Sequence, residues 1–386
     1  MACACVLVAH ASGQPSGVPR QLLVGLDDDT GKWRTRPDGL LATYRHLGID
    51  AVRLTIPWQK GQNRPTLEAG IYLHRAAQMV ARGQRVVLAV YGEPHQAPLD
   101  DVQRGHYCSF VKHALKRIPK IRDVVVWNEV NSPEFWPTEG GAAAYEALLA
   151  ECWDRLSKLR PAVNLISSTA ARYDPAGFMR AVGVAYRESG RKRPIITTFG
   201  HNPYPLNAAE PPWVRHDDPA NVSQADLPRF LEALREAFGG TGQRLPNAKR
   251  PIVWYMENGF QTRVPPSKRS HYTGEETDDW AVPAVAPEGI EPWFRDQASQ
   301  LTDALLLAQC QPEVGAYFNF ELIDEDRLAG WQSGVLWRDG TRKPSYQAFR
   351  EAVGLVQSDD IDCATVPGAG GPIPEAPPTP DAATPG

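Results

Sequence analysis

Val124-Val125-Val126-Trp127-Asn128-Glu129-Val130-Asn131 is the stretch on which the fold turns. Three β-branched residues in a row read as a strand buried on both faces, as in a parallel sheet. The run then ends in an amide, a carboxylate and another amide. A sheet core has no use for that cluster, because an unpaired buried carboxylate is costly or takes up a proton. Strand ends that open into loops are where parallel α/β folds place their chemistry. Pro251-Ile252-Val253-Trp254-Tyr255-Met256-Glu257-Asn258-Gly259 repeats the design far downstream. Two buried strands thus each deliver one Glu beside an Asn.

Outward from these two stretches the chain alternates. Strand patterns occupy 21–26, 49–56, 85–91, 163–168, 194–199 and 314–320, besides the two Glu-bearing strands. Helical spacing of apolar residues fills the intervals, as with Leu40, Leu41, Tyr44 and Leu47 before Gly48. Eight strands, each followed by a helix, predict a closed (β/α)8 TIM barrel over 21–356. A doubly wound open sheet is the alternative, but no glycine-rich GxGxxG turn follows the first strand. Two long connections, 203–226 and 259–291, follow strand C-termini and would overhang the barrel mouth. Residues 357–386 are rich in Pro, Ala and Gly and read as a disordered tail.

The 386 residues have a net charge of −4 and no basic stripe, which argues against nucleic acid and against an anionic membrane surface as partners. No apolar run reaches the roughly 18 residues that cross a bilayer. Residues 1–20 form a leader whose apolar start ends in Ala9-His10-Ala11. It resembles a truncated secretory signal without its basic start, so a secreted or extracytoplasmic location is expected; a plain leader would leave the chain cytoplasmic. The cysteines Cys3, Cys5, Cys108, Cys152, Cys310 and Cys363 show no metal-ligand spacing. Cys108, Cys152 and Cys310 sit in helical patterns and read as buried thiols, with a disulfide as the open alternative and no pairing assigned. Neither a metal nor an organic cofactor is implied.

In a barrel, Glu129 would end the fourth strand and Glu257 the seventh, and both would reach the same rim. Two carboxylates flanking one bond are what glycoside hydrolysis requires. One protonates the leaving oxygen, and the other attacks the sugar or activates water. A separation of about 5 Å goes with a covalent intermediate and retention, and about 6.5–9.5 Å with inversion.

Here the chain resembles the retaining glycoside hydrolases of clan A, of the cellulase and β-xylosidase type in families 5 and 39. Trp127-Asn128-Glu129 is similar to the clan's strand-four Asn-Glu, which implies Glu129 as acid/base and Asn128 as partner of the sugar 2-OH. Tyr255-Met256-Glu257-Asn258-Gly259 is similar to the strand-seven nucleophile segment. His201-Asn202-Pro203-Tyr204 resembles the strand-six His/Tyr element, whose Tyr hydrogen-bonds the nucleophile. Arg53 fits the strand-two Arg that supports the same carboxylate. Gly330-Trp331-Gln332-Ser333-Gly334 looks like part of the closing segment; Trp331 in it is a candidate stacking platform for sugar or a core or lid packing residue. The resemblance implies a β-linked carbohydrate substrate and double displacement. Arg53 and Tyr204 would favour the anionic form of Glu257, while Glu129, walled by Trp127 and repelled by Glu257, would keep its proton.

Plainer readings stand beside these. Arg53 could be an interior ion-pair residue, and His201 and Tyr204 could be packing residues of a proline-rich turn. His95, with Glu93 after strand three, is a sugar-binding candidate or a surface pair. Asp27-Asp28-Asp29 lacks the spacing of a calcium loop and reads as a solvated turn. Val130 stands where many relatives have Pro, and the end of strand eight, Phe318-Asn319-Phe320-Glu321, shows no Trp. Glu321 there would bind a sugar hydroxyl or pair with a rim Arg. A catalytically inactive glycan-binding barrel and a transglycosylase are the rival functions.

Overall fold

The computed structural model describes residues 22–138, 140–286 and 295–373. Eight strands line up as β1 Leu23–Asp27, β2 Ala51–Pro57, β3 Arg85–Tyr91, β4 Asp123–Val126, β5 Asn164–Ile166, β6 Phe199–His201, β7 Val253–Asn258 and β8 Val314–Phe320. They form one sheet in the order β5-β4-β3-β2-β1-β8-β7-β6, paired in parallel throughout. Parallel bridges between Ile166 and Thr198 and between Ala170 and Asn202 bring β5 against β6 and close the ring. The chain is a (β/α)8 barrel.

Two apolar layers hold it. Ala51, Val87, Ala89, Val125, Ile166, Met256 and Phe318 fill the lumen. A Cβ on Gly25 would lie 2.4 Å from the Phe318 ring, so the glycine makes room for that lumen residue. The outward strand residues meet the helices. In helix Asp38–Leu47 the buried residues are Leu40, Leu41, Tyr44 and Leu47, one stripe at helical spacing. Gly48, at φ 77°, ends that helix and donates its N–H to the Arg45 and Tyr44 carbonyls. The strands supply the hydrophobic floor on which a polar rim can be held rigid.

Three expectations need correction. The sixth strand begins at Phe199, not 194. Before it, the N–H groups of Ile195 and Ile196 are taken by the Gln243 side chain instead of by a neighbouring strand. Cys108 and Cys152 are not thiols but a disulfide joining helices Asp101–Arg117 and Gly141–Leu156, and Cys310 pairs with Cys363. The segment after 357 is not wholly a tail. Helix Ser345–Ser358 runs into it, and Val366 packs on Trp213 and Leu307 beside the Cys310–Cys363 bond. Residues 374–386, like 1–21, lie outside the described residues. Among the described residues no helix is long and apolar enough to cross a membrane.

Candidate active site

The C-terminal end of β4 turns sharply out of the barrel. Trp127 has φ 64° and Glu129 φ 39°, both in the left-handed region that non-glycine residues rarely occupy. Such strain persists only where surrounding bonds hold it, and it concentrates at functional sites. Here Trp127 N donates to the Val90 carbonyl and Trp127 Nε1 to the Phe135 carbonyl. Glu129 N donates to Ser168 Oγ at 3.1 Å, and Val130 N to the Ser168 carbonyl at 3.2 Å. The turn aims the Glu129 carboxyl into the mouth. Its Oε1 accepts from Asn202 Nδ2 at 2.8 Å, across from β6. Burial first, and then the charge of Glu257, push Glu129 up to about 8.

The end of β7 is organised around a cation. Arg53 on β2 is 1% exposed, and its Nη1 lies 2.6 Å from Glu257 Oε1. The same guanidinium donates to Asp27 on β1, and its Nη2 donates to Asn128 Oδ1 at 2.8 Å. One buried arginine therefore links the ends of four strands, β1, β2, β4 and β7. Because Arg53 can only donate, Asn128 must turn its carbonyl oxygen inward, which leaves its NH2 as the group available to a ligand. Tyr204 OH donates to Glu257 Oε2 at 3.4 Å. Burial, then the charges of Glu257 and Glu129, hold the Tyr204 phenol far above its ordinary value, so it stays a donor. Asp27 is also pushed well up, by burial foremost and by Glu257, against the opposing pull of Arg53.

These groups line a cleft of about 1570 Å³ at the barrel mouth. Asn128, Glu129, Tyr204 and Glu257 share its floor with Asp27, Tyr91, Phe320 and Glu321. The Tyr204, Phe320 and Trp331 rings pack as a trio, with Trp331 5.2 Å from Tyr204 and 5.3 Å from Phe320. Glu321 ends β8 at φ 69°, and burial together with Asp324 and Glu325 drives its carboxyl well up, towards the protonated form. No ion pair to Glu321 occurs among the described residues, so the rim-Arg alternative is not realised. The connection after β6 contributes Tyr204, Leu206, Asn207 and Ala208 to the wall, and that after β7 contributes Gln261, Thr277, Asp278 and Trp280.

The structure brings together Arg53, Asn128, Glu129, Tyr204, Glu257 and Trp331. It does not bring His95 or His201 to the cleft. His95 lies exposed in the turn Pro94–Gln96, away from the lining. His201 is buried behind β6, with Nδ1 at Thr169 Oγ1 (2.9 Å), Nε2 at the Val222 carbonyl (2.8 Å) and its ring stacked on Phe230. Burial lowers it to about 4, so it is a neutral packing residue. Its neighbour Asn202 points inward instead. Trp127 does not wall Glu129 either. It is fully buried against Trp58, Tyr107 and Trp136. Nor is Asp27-Asp28-Asp29 a solvated turn. Asp27 holds Arg53, Asp28 accepts from Tyr44 OH at 2.6 Å, and Asp29 accepts from Thr55 N at 2.8 Å and pairs with Lys32. A signal for Asp27 was present in the chain, since it is the last residue of a buried strand with an arginine due on the next.

No family model and no curated protein matches this sequence. Solved structures do match. A family 39 glycoside hydrolase from the gut symbiont Bacteroides cellulosilyticus WH2 superposes with a TM-score of 0.59 at 17% identity, over 88% of this chain and 64% of its own. A GH5_18 protein from Streptomyces cattleya, solved with Manb1-4GlcNAc, gives 0.55 at 16% identity over 89% and 82%. The fold is that of the clan A glycoside hydrolases. An exo-beta-1,4-mannosidase from Opitutaceae bacterium strain TAV5 gives 0.56 at 14% identity over 89% and 61%. This chain thus spans less than two thirds of the family 39 and mannosidase chains.

Proposed function

We propose that this clan A barrel is a retaining β-glycosidase that cleaves β-linked carbohydrate by double displacement. Glu257 is the nucleophile and Glu129 the acid/base. The observation that supports this most is the pair of unlike environments built around one guanidinium. Arg53 pairs directly with the Glu257 carboxyl and holds the Asn128 next to Glu129, while the Glu129 carboxyl itself is bonded by the neutral Asn202 amide.

In the first step Glu257 Oε attacks the anomeric carbon. The glycosidic bond breaks, and its electron pair leaves with the oxygen, which takes the Glu129 proton. The Asn128 NH2 is placed to hold a sugar hydroxyl beside the anomeric centre. Esterification removes the charge of Glu257, and the repulsion that helped keep Glu129 protonated goes with it. Glu129 then draws a proton from water, the water oxygen bonds to the anomeric carbon, and Glu257 departs as carboxylate. Proton NMR of the first-formed product tests the stereochemistry. A β-anomer from an aryl β-glycoside is expected, and a first-formed α-anomer would refute retention.

A location outside the cytoplasm belongs to the same reading. Cys108–Cys152 and Cys310–Cys363 are bonds of a kind that persists in oxidising compartments.

A further inference from the structure

Among the described residues four large aromatic side chains are exposed: Trp33 (63%), Tyr173 (48%), Trp280 (60%) and Trp331 (40%). All four line the one cleft. They follow β1, β5, β7 and β8, so they are spread around the mouth and not gathered in one patch. Exposed aromatic faces give up burial energy unless something covers them. The flat C–H face of a pyranose ring is a suitable cover. The cleft, at about 1570 Å³, also exceeds the roughly 300–1,000 Å³ usual for a single small ligand.

Tyr173 is the most telling of the four. It has φ 65°, and Asp174 after it has φ 49°. Glycine or asparagine would adopt that backbone more cheaply, and the Tyr173 ring recovers little by packing, being half exposed. Its hydroxyl meets Glu134 Oε1 only at the long distance of 3.5 Å. The backbone is nevertheless pinned on both sides. Asn131 Nδ2 donates to the Arg172 carbonyl at 2.6 Å and the Tyr173 carbonyl at 3.3 Å. Asp174 N donates to the Ala220 carbonyl, and Asp174 Oδ1 caps helix Pro175–Glu188 through Gly177 N. Folding alone gives no reason for a tyrosine here, yet the site holds it rigidly.

Asn131 lies two residues after Glu129, so the Tyr173 turn is fastened to the segment bearing the acid. The sugar leaving with the protonated oxygen must lie on the Glu129 side. Trp331 follows β8, three strands round the ring from the β5 that Tyr173 follows, and packs on the Tyr204 whose hydroxyl meets Glu257. Building on the glycosidase reading above, we infer that the substrate is a glycan with sugar rings on both sides of the cleaved bond, and that Tyr173 is the platform for the ring on the leaving side. Specificity for an extended leaving group then resides in this residue.

The test uses β-glucosyl, β-mannosyl, β-xylosyl and β-galactosyl fluoride, which have no ring on the leaving side, and the matching β-1,4-linked tetraoses. The variants are Tyr173→Gly, which suits the left-handed backbone, and Tyr173→Phe, which keeps the ring. Tyr173→Gly is expected to hold kcat/KM on the accepted fluoride within about twofold and to lose about three- to tenfold on the tetraose, the weight of one aromatic contact. Its Tm should be at or above the wild-type value, and Tyr173→Phe should restore the tetraose rate. Equal losses on both substrates, or no loss on the tetraose, would overturn the inference. So would a wild-type protein that turns over a fluoride but no tetraose. A wild-type protein silent on every fluoride would instead overturn the glycosidase reading beneath it.

Discussion

Glu129 and Glu257 are the same residue type at equivalent strand ends, yet their surroundings differ in charge. At the end of β7 the carboxylate faces a buried arginine at 2.6 Å and a phenol at 3.4 Å. At the end of β4 the bonded side-chain partner is a neutral amide, Asn202, at 2.8 Å. For Glu129 the Asn202 hydrogen bond and the pull of Arg53 do not offset burial and the like charge of Glu257, and its carboxyl rises to about 8. On the proposed mechanism, the barrel sets two identical carboxyl groups to opposite tasks through what adjoining strands place beside them.

The comparison is broken most severely at the nucleophile. Glu257→Gln removes the attacking oxygen and should lower kcat on aryl β-glycosides by at least about a thousandfold. Near wild-type turnover in that variant would remove the assignment. The acid comes next. Glu129→Gln should cost about 100- to 10,000-fold where the leaving group needs a proton. The same variant should retain far more activity on a glycosyl fluoride, whose leaving group departs without one. Equal losses on both substrates would show that Glu129 is not the proton donor.

The pH dependence sharpens the contrast further. The acid works only while protonated, so kcat/KM should be sustained below about pH 8 and fall as pH rises through that value. An alkaline limb already complete near pH 5 would place Glu129 in an ordinary environment. The smallest effect concerns Asn202. Its N–H stabilises the charged form of Glu129, so Asn202→Ala should move the alkaline limb upward by about half a pH unit to one pH unit. A downward movement would contradict the role of that hydrogen bond.

Much of this pair could be read before any coordinates. Val124–Val126 and Val253–Met256 announce buried strands, and a Glu at the end of each has no structural reason to be there. Arg53, Asn128, Tyr204 and Trp331 followed from strand position together with the resemblance. What failed did so for identifiable reasons. His201 and Asn202 are adjacent, and in a strand adjacent side chains point to opposite faces. With β6 only three residues long, nothing in the local pattern sets that parity. Asp27 was hidden in an acidic triplet that looks like a solvated turn, because the partner that buries it, Arg53, arrives 26 residues later. Asn131 was read as part of the carboxylate cluster, but its amide is spent on the backbone of the Tyr173 turn. The disulfides escaped because pairing depends on which helices become neighbours, and spacing of 44 and 53 residues does not encode that.

The most direct measurement is to inactivate the protein with a 2-deoxy-2-fluoro-β-glycosyl fluoride and locate the adduct by peptide mass spectrometry. The fluorine slows breakdown of the glycosyl-enzyme more than its formation, so the nucleophile stays labelled. A single sugar adduct on the peptide containing Glu257, absent from Glu257→Gln, is the predicted result. An adduct on Glu129, or turnover without any adduct and with inverted product, would contradict the division of labour between the two strand ends.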